Sequence, residues 1–249
     1  VPIRGHIPGP PGTLAEADMV VVGPMGRSAA DLDLLLDVIA GPDAEEGRAW
    51  SLSLPACDMA LKDFRVLAWL DDPSCPVDKA MAAPLHDTVA RLRAAGVSVE
   101  DGPVEGFDLR EVYALYMQML AAVMGGGLPA KMYRGFGWLA RTARLLGRTR
   151  PDSVGGYAIG ATQSHRDWLH ANEKRTRLRR KWEGLFERYD LILMPVVPTT
   201  AIAHLHKGNV FSRKLSVNGA PRPYSDVFPW ISLATLLYLP ATVAPVGLA

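Results

Sequence analysis

The chain has 249 residues, 49% of them hydrophobic, and a formal net charge of +1. That is enough apolar material for a large core and one or two domains. Only Cys57 and Cys75 carry thiols, which excludes a disulfide framework and favours a reducing compartment, the cytoplasm by default. No apolar run reaches membrane-spanning length and the opening Val1-Pro2-Ile3-Arg4-Gly5-His6 lacks a signal-peptide layout, so neither a membrane partner nor a leader is expected.

Residues 1–18 read as a Pro/Gly loop running into a strand over residues 19–22. Ser28 then caps a helix, and Asp31 three residues on completes a capping-box pattern. Leu32, Leu35, Leu36 and Ile39 recur at helical spacing, and Gly41-Pro42 ends the helix. Residues 64–70 suit a short buried strand. Residues 77–95 form a helix with Met81, Leu85, Val89 and Leu92 on one face and Gly96 as its stop, followed by a strand at residues 97–100. Strand, helix and strand in this order predict a parallel pairing. An apolar helix covers residues 109–124, ended by Gly125-Gly126-Gly127, and helical patterns dominate up to Tyr189. Residues 191–197 are a strand running into a Pro/Thr loop, residues 204–223 a polar surface excursion, residues 230–238 a short helix and residues 241–246 a closing strand.

Charge is unevenly placed. Residues 131–188 hold fourteen Lys or Arg against five acids, and the density peaks at Lys174-Arg175-Thr176-Arg177-Leu178-Arg179-Arg180-Lys181. Such a run could meet phosphates. The plainer account is a solvated helix whose Trp168, Leu169, Leu178, Trp182 and Leu185 face the body of the protein.

Several motifs in order carry a family resemblance. The first is Gly23-Pro24-Met25-Gly26-Arg27-Ser28-Ala29-Ala30-Asp31, preceded by Arg4-Gly5-His6-Ile7-Pro8-Gly9-Pro10-Pro11-Gly12. Trp69-Leu70-Asp71-Asp72-Pro73 follows with Cys75-Pro76-Val77-Asp78, then Tyr189-Asp190-Leu191-Ile192-Leu193-Met194-Pro195 with Pro198-Thr199, and lastly Leu239-Pro240-Ala241-Thr242-Val243-Ala244-Pro245-Val246-Gly247. In this order they resemble the amidase signature family of serine amidohydrolases. The resemblance implies an α/β fold: one partial α/β/α domain over residues 1–249 around a mixed sheet, with a helical, substrate-facing insert near residues 105–188. It implies hydrolysis of carboxamide C–N bonds through a Ser acyl-enzyme, with no cofactor.

The family's catalytic Ser, bridging Ser and Lys have no match here. No Gly-Gly-Ser-Ser occurs, and Met59, Pro76, Leu128, Ala171, Leu178, His204 and Phe211 stand three residues before the seven lysines, so no Ser-x-x-Lys occurs either. The chain therefore reads as an interior piece whose catalytic segment would precede Val1. No catalytic residue is assigned, and the chain alone is expected to be inactive. Its expected partners are a small amide substrate and either further copies of itself or a companion segment, without nucleic acid. The alternative is a non-catalytic binding module that presents its basic helical face to nucleic acid or a protein.

Asp226 precedes the apolar helix at residues 230–238, where a carboxylate suits the helix dipole. The resemblance implies a substrate contact for it, as in the glutamine-handling branch, and Tyr224 shares that reading. Thr199 and Thr200 follow a strand, where ligands sit in open α/β sheets. The resemblance puts this loop near the acyl pocket, though loop threonines more often satisfy their own backbone. His204 and His206 share a spacing suited to a metal, but no acid lies within ten residues of them, and no metal site is assigned. His165 and His170 lie five apart, a poor chelating offset. Gly125-Gly126-Gly127 and Gly155-Gly156-Tyr157 lack phosphate-loop context. Tyr116, Met117, Met119 and Met124 are pocket-lining candidates, with core packing as the plainer account.

Overall fold

Arg65–Ala68 forms β1, the central strand of a three-stranded sheet, with Val66, Leu67 and Ala68 all buried. A strand covered on both faces needs this continuous apolar run. The computed structural model describes residues 18–247 and divides the chain into two compact units, residues 1–58 and 59–249.

In the first unit, α1 (Ala29–Ile39) begins as its sequence dictates. Asp31 N–H donates to Ser28 Oγ at 3.1 Å and Ser28 N–H to Asp31 Oδ2 at 3.0 Å, a closed capping box. Leu32, Leu36 and Ile39 are half-buried, whereas Leu35 is exposed. The strand expected at residues 19–22 does not form: Met19 sits in a turn at positive φ and residues 20–26 carry no regular pairing. The Pro/Gly motif at residues 4–12 lies outside the described residues.

In the second unit, α2 (Lys79–Ala94) links β1 to β2 (Ser98–Asp101). The sheet order is β2-β1-β3, with β3 at Leu191–Leu193, and both pairings are parallel. Val66 stands in register with Val99 on one side and Leu191 on the other. Ala68, Leu70 and Val89 form a core that Leu85, Val99 and Leu193 complete. The α/β class and the parallel strand–helix–strand unit stand as the sequence predicts.

Helices fill the stretch between β2 and β3: α3 (Leu109–Gly126), α4 (Ala130–Leu145), α5 (Val154–Ala161) and α6 (His165–Leu185). Leu109, Val112, Leu115, Tyr116 and Met119 line the buried face of α3, with Met117 buried beside them, while Met124 is exposed. Gly125 does not end that helix. A Cβ on it would collide with the Ala161 backbone, and one on Gly160 would sit 2.7 Å from Ala121 Cβ, so these glycines let α3 and α5 touch. Gly155 and Gly156 lie in the first turn of α5, where a Cβ would strike the carbonyls of Arg148 and Arg150. Packing accounts for all four.

On α6, Trp182 and Leu185 are buried, Trp168 and Leu178 are half-buried, and Leu169 is exposed, against expectation. Part of the charge run serves packing. Arg175 is buried with its guanidinium 4.6 Å from the Tyr238 ring centroid, Arg179 lies 5.0 Å from it, and Arg177 pairs with Glu173.

The polar excursion contains a hairpin, β4 (Lys214–Val217) and β5 (Ala220–Pro223), turned by Asn218 and Gly219 at positive φ. Asn-Gly between short strands is the strongest short hairpin signal. A 3-10 turn, Tyr224–Val227, leads into α7 (Pro229–Leu237), whose Trp230, Leu233, Leu236 and Leu237 are buried against α3 and α6. The closing strand expected at residues 241–246 is absent; that stretch has no regular structure, pairs with no strand among the described residues and is exposed.

Candidate functional site

The loops after β1 and β3 leave the sheet at its carboxyl edge, where open α/β sheets place their ligands. Asp78 ties them together. Its backbone N–H donates to the Pro198 carbonyl at 2.7 Å, one residue before Thr199. Its carboxylate caps α2 by accepting from Ala80 N–H at 3.0 Å and accepts from Asn218 N–H, in the hairpin turn, at 2.7 Å. These two backbone bonds, the Asn218 one first, hold the Asp78 carboxyl below its ordinary range. Lys79 N–H donates to Asn218 Oδ1 at 2.9 Å, so the grip is reciprocal.

A second cluster adjoins the start of α7. Arg222 donates through Nε to Asp226 Oδ2 at 2.6 Å and through Nη2 to the Ser74 carbonyl at 2.8 Å. The Cys75 thiol donates to the Asp226 carbonyl at 3.6 Å, and Trp230 Nε1 donates to the Cys75 carbonyl at 3.2 Å. Trp230 also meets Trp69 edge to face, centroids 5.6 Å apart. The hydroxyls of Tyr113 and Ser225 lie beside one another, both buried and outside hydrogen-bonding geometry. The Arg150–Asp152 pair acts on Asp226 through its charges.

Burial dominates the electrostatics here. It raises the Asp226 carboxyl above its ordinary range despite the Arg222 guanidinium. It pushes the Cys75 thiol up to about 12, with Asp226 adding to the rise. A protonated, buried thiol is no nucleophile at neutral pH. The cluster is suited to hold a loop in place and to present dipoles, rather than to attack a carbonyl.

Of the residues singled out in the sequence, Asp226 and Tyr224 lie on the 3-10 turn before α7. Asp226 is buried in its ion pair, and the Tyr224 ring lies 6.0 Å from the Arg213 guanidinium. Thr199 is half-buried and Thr200 exposed in the loop after β3. Tyr116 packs near Phe228, centroids 6.3 Å apart. His204 and His206 are exposed neighbours, centroids 5.8 Å apart, and among the described residues no group of three or more His, Cys, Asp or Glu is placed to hold a metal ion. Sequence reasoning missed Arg222, Asp78, Asn218 and Tyr113. The Asn218-Gly219 turn flags the hairpin, and Arg222 stands four residues before Asp226. Nothing local marks Tyr113.

A family model described as Amidase matches residues 2–249. A glutamyl-tRNA(Gln) amidotransferase subunit from Saccharolobus solfataricus is 27% identical over 241 residues, 91% of this chain and 48% of the relative. The corresponding protein of Symbiobacterium thermophilum, of the same description, is 26% identical over 200 residues, 72% of this chain and 40% of the relative. Among solved structures, a fatty acid amide hydrolase aligns over 86% of this chain and 34% of its own, at 16% identity and a TM-score of 0.45. The chain thus spans about half the length, or less, of these curated relatives. With the match running from residue 2 to residue 249, the chain belongs to the amidase family.

Proposed function

We propose that this chain forms the substrate-facing walls of an amidase that hydrolyses carboxamide C–N bonds through a Ser acyl-enzyme. The observation that carries the reading is the family match along the whole chain, joined to a polar cluster at the carboxyl edge of the sheet that lacks an activated nucleophile. In such an enzyme a Ser alkoxide attacks the amide carbon, the C–N bond breaks as the nitrogen leaves with a proton, and water releases the acid. Backbone N–H groups near that serine would stabilise the oxyanion.

The roles here are supporting ones. Thr199 and Thr200 line the acyl side through the loop that Asp78 pins, and Asp226 and Tyr224 bound the far wall. The whole stretch is one partial amidase-signature domain, with residues 105–188 as its substrate-facing insert. The 249 residues contain no Ser-x-x-Lys, which supports a lack of turnover by this chain alone. Activity then requires a companion segment or a further chain. Two sheet edges, β2 and β3, are unpaired among the described residues. That the relatives are amidotransferase subunits supports both the C–N chemistry and a multi-chain setting. The two free cysteines suit the cytoplasm.

Sedimentation velocity tests the companion requirement: self-association or uptake of a partner is expected, and a monodisperse, cooperatively folding monomer contradicts it. Turnover of a simple acyl amide by the isolated chain contradicts the assignment of roles.

A further inference from the structure

The helical part carries a surface that the amidase reading leaves unused. α4 turns Ala140 and Ala143 inward, and its Phe136 meets Tyr157 of α5 edge to face at 5.5 Å. The opposite stripe, at offsets of four, seven and eleven, is Arg134, Trp138, Arg141 and Leu145. Trp138 is 69% exposed, Leu145 86%, and Leu146, just past the helix, 65%. Arg91, Arg93, Arg150, Arg177 and Arg188 each hold an acid. Lys131, Arg134 and Arg141 hold none among the described residues.

This pattern limits what can cover the stripe. Further protein over the stripe would have to bring carboxylates to Arg134 and Arg141, because burying them unpaired is strongly unfavourable. A second copy of the same face would oppose like charges. Solvent alone leaves an indole and two leucines exposed beside uncompensated cations. Lipid headgroups satisfy both: phosphates pair with the cations while the apolar tips enter the acyl boundary. A sugar–phosphate backbone would answer the arginines but offer nothing to Leu145 and Leu146.

We propose that α4 is an interfacial helix that seats this protein on an anionic bilayer. Trp138 lies at headgroup level, Leu145 and Leu146 enter the acyl boundary, and Lys131, Arg134 and Arg141 pair with lipid phosphates. This departs from the expectation of no membrane partner, which rested on spanning length; a helix lying on the surface needs no such run. No helix among the described residues is long and apolar enough to cross a membrane.

The test is co-sedimentation of the 249-residue chain with vesicles of phosphatidylcholine alone or mixed with phosphatidylglycerol. Binding is expected only to the mixed vesicles, weakening as salt rises. Loss of two cations at about fivefold each lowers partitioning at least about twenty-five-fold in R134E/R141E. L145S/L146S lowers it several-fold while keeping the salt dependence. Brominated lipid quenches tryptophan emission in the parent, and W138F removes that quenching. These positions are exposed, so circular dichroism should be unchanged in every variant; were R134E/R141E to lose helix, the W138F quenching result decides. No binding to mixed vesicles overturns the proposal, as does equal binding by all variants, or capture of single-stranded RNA without vesicle binding.

Discussion

Replacing Arg222 by Met strands the Asp226 carboxylate, and the structure sets the size of the effect. The Asp226 side chain is 11% exposed and that of Arg222 30%, and the pair is 2.6 Å apart. It therefore lies between surface pairs, worth about 0–1 kcal/mol, and fully buried ones, whose disruption costs about 3–5 kcal/mol. With the Ser74 carbonyl also losing its donor, we expect R222M to cost about 2–3 kcal/mol. D226N removes the charge but keeps a hydrogen-bonding amide, so about 0.5–1.5 kcal/mol is expected. In the double variant no buried charge is left unpaired, and about 1–2 kcal/mol of the R222M cost should return. Urea titration followed by tryptophan emission reads this, since Trp230 adjoins the cluster through Cys75. pH gives a second reading. Burial holds the folded Asp226 carboxyl above its unfolded value, so the folded state keeps its proton longer. This group's contribution to stability is therefore fully present below the unfolded value and declines as pH rises through the folded one. In R222M that decline should be steeper and reach higher pH. An R222M no less stable than D226N, or a double variant with no recovery, refutes the reasoning.

Three further outcomes follow from particular contacts. G125A should destabilise by about 1–3 kcal/mol because its Cβ meets the Ala161 backbone, whereas G126A, facing open space one residue on, should be neutral or stabilising by about 0.5–1 kcal/mol in thermal melts. D78A should cost about 1 kcal/mol as a lost helix cap and loosen the hairpin. Because the folded Asp78 carboxyl sits below its unfolded value, its contribution is present at neutral pH and lost as pH falls through the folded value, so parent and D78A melts should converge in acid. Iodoacetamide should modify exposed Cys57 in the native chain and reach buried Cys75 only in denaturant; mass spectrometry of the labelled peptides reads this.

The parts of the fold legible in the sequence were those with local signatures. Ser28 with Asp31, the periodic apolar face of α3 and the strand–helix–strand order from β1 to β2 each follow from short-range pattern. The strands expected at residues 19–22 and 241–246 show where that fails: an apolar stretch becomes a strand only with a neighbour to pair with, and none pairs with them among the described residues. The Gly125 tract misled because a glycine that ends a helix and one that admits a second helix look alike until Ala161 is in place. Asp226 was visible from its place before α7, but its buried pairing with Arg222 and the distant Ser74 carbonyl depends on the hairpin. The basic run was read on α6, where Arg175 and Arg179 turn out to stack on Tyr238. The uncompensated cations of α4 emerge only once each arginine's neighbours are known.

The most direct measurement of the central account is pre-steady-state hydrolysis of an activated anilide by this chain, with and without a serine-directed fluorophosphonate. A polypeptide that contributes walls and no nucleophile gives a flat trace and takes up no phosphonate. A stoichiometric burst that the phosphonate abolishes would place an activated serine within these 249 residues and contradict the account.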